Sequence, residues 1–378
     1  MGRWRRFAIW LSALLIGALV LGGLRGGGEE RAALAATRSY SAEARQIAAR
    51  LRPTQLIGQR FIYTLDGPTL PDSLGRRLER GRAAGVVLFA RSIGSAAALR
   101  DLTAAIQRHA AAGPGGLPAL IMVDQEGGPV RRLSGPPESS AATMGATLNG
   151  HEIRRQGRAT GRLLANYEIN VDLAPVTDIG IPGRALYDEH RTFATTSRAV
   201  GRDADHFRAG LASTGTAATA KHFPGFGRAE ANTDNTAVTI NRSDAEARID
   251  LRPFANLIDN GIELVMLSTA IYPQLSSAPA ALARPVAGRL LRRNLDFKGV
   301  SVSDALDTPA LDAYGSSERV AIDALRAGTD LLLYASSFDA ARRADEAART
   351  ALQNDRLDEA ALRRSAKRVL ALRLALAD

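Results

Sequence analysis

The sequence predicts an α/β protein built as a (β/α)8 TIM barrel, a single domain behind an N-terminal apolar leader. Three observations carry this. Eight short apolar, β-branched runs recur along the chain, stretches of helical period separate most of them, and polar residues gather where the runs end. Continuous apolar strands with helices between them imply a parallel sheet covered on both faces. Eight is the strand count of a closed barrel. A doubly wound open sheet fits the same alternation and is the competing fold.

In chain order the leader comes first. "MGRWRRFAIWLSALLIGALVLGGL" has a basic start (Arg3, Arg5, Arg6) followed by an apolar run from Phe7 to Leu24. That is an export signal or an N-terminal anchor. Ala33-Leu34-Ala35 fits a small-residue cleavage site, although it lies well past the apolar run. Residues 1–36 are therefore read as signal peptide or membrane anchor, and 37–378 as the barrel. Both readings put the body outside the cytoplasm, as a secreted, periplasmic or membrane-anchored protein whose membrane contact would run through residues 7–24.

The expected strands are 56–65, 85–90, 119–125, 169–180, 216–223, 263–272, 298–306 and 329–335. "SAAALRDLTAAIQRHAA" (95–111) and "SERVAIDALRAG" (317–328) have helical period. "DEAALRRSAKRVLALRLAL" (358–376) reads as a last helix packed on the barrel.

Composition removes several function classes. There is no cysteine among 378 residues, so disulfides, thiolate metal sites, a cysteine nucleophile and a lipidated N-terminal cysteine are excluded. The net charge of +10 is scattered and not interleaved with aromatics, which argues against nucleic acid. It leaves a mild attraction to anionic polymers or lipid surfaces. No His/Asp/Glu spacing suggests a metal, and no cofactor is expected. His109, His151, His190 and His206 have no paired ligand and are read as non-catalytic. The sequence says nothing about oligomeric state.

A barrel demands that its chemistry cluster at the C-terminal ends of its strands. Strand three ends in "VDQEGG" (123–128), strand four runs into "APVTD" (174–178), strand five ends in "KHFPG" (221–225) and strand seven in "SDALD" (303–307). Asp124 and Asp304 would otherwise serve as helix caps after strands, a common use of aspartate. Asp172 and Asp178 are read as structural.

Together, "VDQEGGPVRRL" (123–133), "DLAPVTDIG" (172–180), "KHFPGFG" (221–227) and "KGVSVSDAL" (298–306) resemble glycoside hydrolase family 3. The resemblance is strongest to its single-barrel bacterial β-N-acetylglucosaminidases and covers roughly residues 55 to 328. It implies a retaining glycosidase acting on β-linked N-acetylglucosamine or related β-glycosides of cell-wall glycans, with a carbohydrate such as a peptidoglycan fragment as partner. It implies Asp304 as nucleophile, and Asp124, Arg132, Arg191, Lys221 and His222 as sugar-binding residues. In that branch the strand-five loop runs K-H-F-P-G-H-G, four variable residues, then D-S-H, whose His is the acid/base. Here Phe226 replaces the loop's second His, Asn232-Thr233-Asp234 stands in for D-S-H, and Thr269 stands where the branch often has a His. Three readings follow: Asp234 is the acid/base with Asn232 bonded to it, Glu230 or another loop supplies the proton, or the chain is a glycan-binding pseudoenzyme.

Overall fold

Ten strands organise the described residues, and their order settles the competition between the two folds. They are β1 (Phe61–Thr64), β2 (Gly85–Leu88), β3 (Leu120–Val123), β4 (Gln125–Gly127), β5 (Val130–Arg131), β6 (Val171–Asp172), β7 (Ala217–Phe223), β8 (Leu264–Leu267), β9 (Val300–Ser303) and β10 (Leu332–Leu333). In this computed structural model, which describes residues 40–377, eight of them pair in parallel in the order β10-β1-β2-β3-β6-β7-β8-β9. A parallel bridge from Val302 to Leu331 joins the two ends of that order, supported by Ser303 N–H donating to the Leu331 carbonyl at 2.8 Å. An open sheet would leave two edge strands; here the sheet closes into a barrel. The remaining two strands, β4 and β5, form a small antiparallel hairpin on the end of β3.

Alternation along each strand explains the unbroken apolar runs. Phe61 and Tyr63 of β1 join the cluster under the helices, whereas Ile62 between them joins a second cluster fed by all eight barrel strands. The second cluster is the barrel interior, and Val369 and Leu372 of the last helix join it. Both faces of each strand are thus removed from water, which the sequence registers as continuous hydrophobicity. The intervening helices begin where their caps require. Ser95 accepts from the Ala98 N–H ahead of helix Ala96–Ala111, and Ser243 and Glu246 form a reciprocal capping box ahead of helix Asp244–Asp259.

All eight expected strands are present, with two informative differences. The fourth, expected over 169–180, pairs regularly only at Val171–Asp172 and resumes in a single bridge from Val176 to Lys221, because Pro175 in between has no N–H to donate. The fifth runs to Phe223 as expected, but it carries Lys221 and His222 through an irregular stretch of pairing. A register shift between Ala220 and Phe223 accommodates them.

Two further features matter below. The segment Pro285–Asn294 winds as a π-helix, and helix Glu359–Ala375 lies against the helix at residues 40–50. Ala44, Ala48 and Leu51 share an apolar cluster with Ala366, Leu370 and Leu374, and the Arg363 guanidinium donates to the carbonyls of Ala48, Ala49 and Leu51 at 2.7–3.4 Å. From Tyr40 onward the chain is one compact unit. The expected signal peptide or anchor at 1–36 lies outside the described residues. Among those described, no helix is long and apolar enough to cross a membrane.

Candidate active site

At the C-terminal mouth of the barrel a cavity of about 200 Å³ is lined by Asp124, Arg132, Arg191, Lys221, His222, Asp234 and Asp304. All seven residues singled out in the sequence meet there, carried by β7 and by the segments that follow β3, β5, β6, β7 and β9.

The strongest anchor is an ion cluster. Lys221 Nζ lies 2.7 Å from Asp124 Oδ1 and 2.7 Å from Glu126 Oε1, and Arg191 holds Glu126 through two bonds of 2.9 Å. Arg191 also reaches Glu189 Oε2 at 3.0 Å, and Arg132 reaches Asp124 Oδ2 at 3.3 Å. Burial pushes the Glu126 carboxyl up, but Arg191 and Lys221 outweigh it and hold the group at about 2. Asp124 is likewise held below the usual carboxylate range against its own burial, chiefly by Lys221 and Arg132. Burial pushes Lys221 down, and the two carboxylates bring it back above the ordinary lysine value. The cluster is therefore fully charged at neutral pH. Two of the three ammonium protons of Lys221 face carboxylates, and the third remains for another acceptor.

Local structure explains how these side chains come together. Gln125, wholly buried, ties the β4–β5 hairpin down. Its amide oxygen accepts from the Arg132 and Leu133 N–H groups at 3.1 and 3.0 Å, and its amide nitrogen donates to the Leu133 carbonyl at 2.9 Å. That folds Arg132 back over Asp124. The Gln125 N–H donates in turn to Asp172 Oδ1 at 3.0 Å. Asp172 is fully buried, which drives its carboxyl well above the usual range, and its second oxygen has no partner among the described residues. Arg191 follows His190, whose φ of 58° turns the chain sharply into the mouth.

The second anchor, which holds His222 of β7, is Asp178 in the segment after β6. It accepts from the His222 N–H at 2.9 Å, from His222 Nδ1 at 2.8 Å and from the Phe226 N–H at 2.6 Å. Donation from Nδ1 leaves His222 Nε2 free to accept from a ligand. Phe226 packs on the His222 ring with centroids 5.6 Å apart. Gly227 follows because a Cβ there would fall 2.0 Å from the Ile179 carbonyl. This close approach pins the base of the loop.

Asp304 directly follows β9. Its N–H donates to the Leu267 carbonyl at 2.8 Å, and its Oδ1 accepts from the Ala305 N–H at 2.8 Å, which leaves Oδ2 free. Asp234 stands across from it on the 226–235 loop. The enclosing walls, and next the Asp304 carboxylate, push the Asp234 carboxyl up, even though its outer edge is exposed. Asn232 does not orient the Asp234 carboxyl as expected; its Oδ1 accepts from the Asp234 N–H at 3.0 Å, a local turn. The Thr308 hydroxyl donates to the Thr233 carbonyl and so ties this loop to the one after Asp304. Glu230 is exposed, pairs with Arg184 and does not line the cavity. Thr269 is buried, with its hydroxyl unpartnered among the described residues.

Sequence reasoning missed Glu126 and gave Asp178 only a structural part. The signal for Glu126 was present: Asp124 and Glu126 are two apart, so in extended backbone they share a face. Nothing local foretells that Asp178 lies beneath His222, because 44 residues separate them.

Known proteins resemble this chain over most of its length. Residues 67–372 match the model of the glycosyl hydrolase family 3 N terminal domain. A beta-hexosaminidase of Nitrosomonas eutropha is 34% identical over 297 residues, spanning 74% of this chain and 82% of that protein. An "uncharacterized secreted glycosyl hydrolase" of Arthroderma benhamiae is 35% identical over 283 residues, 73% of this chain and 80% of that protein. Among solved structures, beta-N-acetylhexosaminidase from Beutenbergia cavernae superposes with a TM-score of 0.78 at 34% identity, covering 86% of this chain and 99% of that one. A family 3 beta-N-acetylglucosaminidase from Paenibacillus superposes with a TM-score of 0.82 at 29% identity, and the match covers 87% of this chain but only 64% of that one.

Proposed function

This chain belongs to glycoside hydrolase family 3 and is a glycosidase of beta-hexosaminidase type, and on that premise we propose that it is a retaining enzyme in which Asp304 is the nucleophile and Asp234 the acid/base. The observation that carries the proposal is the placement of two carboxyls at one mouth. Asp304 has an oxygen with no partner among the described residues, and Asp234 faces it with its proton held more firmly than usual. An oxygen free of other bonds suits attack, and a carboxyl that keeps its proton suits proton donation.

The steps follow from that division. An Asp304 oxygen forms a bond to the anomeric carbon while the bond from that carbon to the leaving oxygen breaks. Asp234 delivers its proton to that leaving oxygen. Asp234, now a carboxylate, takes a proton from water as the water oxygen attacks the same carbon and releases Asp304. Around this, Asp124 accepts from sugar hydroxyls. The spare Lys221 proton, Arg132 and Arg191 donate, and His222 accepts at Nε2. Because the ion cluster orders these groups before a sugar arrives, binding costs less side-chain entropy.

The substrate class we propose is a β-linked N-acetylglucosaminide of cell-wall type, in keeping with the named relatives. The basic-then-apolar start of the sequence supports an extracytoplasmic location. The test is covalent. A slowly hydrolysed fluorinated N-acetylglucosaminide should add its sugar mass to the protein, and Asp304→Asn should abolish the adduct. Sugar binding with neither adduct nor turnover would sink the mechanism and leave a glycan-binding pseudoenzyme.

A further inference from the structure

Away from the mouth lies a larger groove of about 1040 Å³ that the proposed glycosidase chemistry does not use. Helices Pro285–Asn294, Ser317–Ala327 and Glu359–Ala375 enclose it. Its floor is Arg60, which immediately precedes β1, so it reaches the strand-start end of the barrel. Eight arginines and two aspartates line it.

The inner arginines are held by protein acceptors, although Arg292 Nε has no partner among the described residues. Arg292 and Arg368 converge on Asp330, and Arg60 donates to the carbonyls of Thr329 and Asp330. The rim is different. Arg284, Arg289 and Arg293 are exposed and form no ion pair or hydrogen bond among the described residues. The π winding explains why they act together. Its hydrogen bonds run i→i+5, so residues four to five apart share a face, and 284, 288, 289, 292 and 293 all line the groove. Position 288 is glycine, which leaves the space between the arginines open. Across the groove stand Arg364 and Arg326, the latter with Nε and Nη2 already donating to the Arg356 carbonyl at 3.2 and 3.1 Å. Their acids are shared or distant: Asp323 lies 3.5 Å from Arg326 and also pairs with Arg319, and Asp358 is 3.7 Å from Arg364.

We propose that this groove is a binding site for phosphoryl oxyanions, carried on a phosphate polymer or on lipid headgroups. The chain itself shows how its arginines treat carboxylates: Glu126 takes one bidentate arginine and one lysine, and Asp330 takes two arginines, Arg292 and Arg368. A row of three unpaired guanidiniums facing two more exceeds what a planar carboxylate can use. A tetrahedral phosphoryl group, with three or more acceptor oxygens, accepts from several forks at once. The volume accommodates more than one such group, and with Tyr314 as the one aromatic in the lining there is no platform for stacked bases.

The experiment uses the full chain with two probes, inorganic polyphosphate and vesicles of phosphatidylglycerol against vesicles of phosphatidylcholine, at physiological ionic strength. The triple variant R284Q/R289Q/R293Q is compared with R154Q/R155Q/R158Q, which removes equal charge from exposed positions on helix Gly150–Ala165. Removing charge-assisted bonds to the ligand should weaken binding about tenfold or more in the first variant, with a change of about twofold or less in the second. Polyphosphate binding without vesicle binding identifies a soluble polymer as the source; preference for the anionic vesicles identifies the headgroup. Equal losses in both variants would reduce the effect to net charge and overturn the site, as would failure of the wild type to bind either probe. Should the triple variant melt lower than the wild type, R289Q alone must still show a selective loss of about threefold. Turnover of glycosides is read in parallel and stays unchanged, so failure here and failure of the glycosidase proposal remain distinct.

Discussion

Asp234 competes for its proton with two forces, the protein walls around it and the carboxylate of Asp304, and both keep the proton on. If that proton goes to the leaving group, Asp234→Ala should slow unactivated glycosides by about 10²–10⁴-fold. Aryl glycosides with good leaving groups should hardly change. The sign in pH follows from the raised carboxyl: the acid works while protonated, so activity on unactivated substrates falls as pH rises through its value. The variant should lose that alkaline limb. Measuring kcat/KM against pH on both substrate types decides it, and equal small effects on both would demote Asp234 to an ordinary loop carboxylate. Glu230→Ala is the matched control, because its carboxylate points to Arg184 and solvent. At this scale the sequence was most legible where a residue type is itself the chemistry. Asp124, Lys221 and Asp304 stand at strand ends, where a barrel gathers its chemistry, and the family resemblance supplied their expected roles. The partner that aims a group was less visible: Asp178 looked like any turn aspartate until β6 and β7 lay side by side.

The 226–235 loop joins the two carboxyls through one side chain. Its base is fixed by Asp178 and by the contact of Gly227 with Ile179, and its tip by the Thr308 hydroxyl on the Thr233 carbonyl. Thr308→Val keeps the shape and removes the bond. The expected cost is about 1 kcal/mol of stability. Turnover of unactivated glycosides should drop several-fold with KM little changed, because sugar is held by other elements. Amide exchange at 232–235 should quicken; unchanged exchange would show that the tip is held by something else. Elements themselves were well anticipated where one signal dominated, as in the helix at 96–111, whose serine cap precedes a clean helical period. The β4–β5 hairpin was not, because its pairing depends on the buried amide of Gln125 and not on any alternation in its few residues. The π winding of 285–294 also leaves no simple trace in the pattern.

Across the whole molecule, chemistry and closure occupy opposite ends of the strands. At their starts, Asp330 accepts from the Ser301 N–H at 3.0 Å and from Arg368 at 2.6 and 3.0 Å, with Arg292 and Ser365 also upon it. Burial pushes the Asp330 carboxyl up, but Arg368 and Arg292 outweigh it and hold it far below the usual range. This aspartate knits β9, β10 and the last helix where the barrel closes. Asp330→Asn leaves buried guanidiniums without their counter-charge and should cost about 3–5 kcal/mol. Thermal unfolding should show a large fall, while kcat at a temperature where the variant is folded should match the wild type. A matching fall in kcat would mean that the two ends are coupled. The barrel itself was legible as eight apolar runs, since each strand buries both faces; its closure was not, because the β9–β10 seam is a few bridging residues set by partners 29 or more positions apart.

The contact between the helix at 40–50 and helix Glu359–Ala375 has a mechanical consequence. Arg363 clasps the carbonyls at the end of the first described helix, so both ends of the described chain meet at one place on the ring of strands. A pull on those ends therefore loads this clasp and its small apolar cluster before it reaches any strand pair. The chain should yield in two stages under tension, first peeling the terminal helices apart at low force and then opening the barrel, in which each strand shares the load with two neighbours.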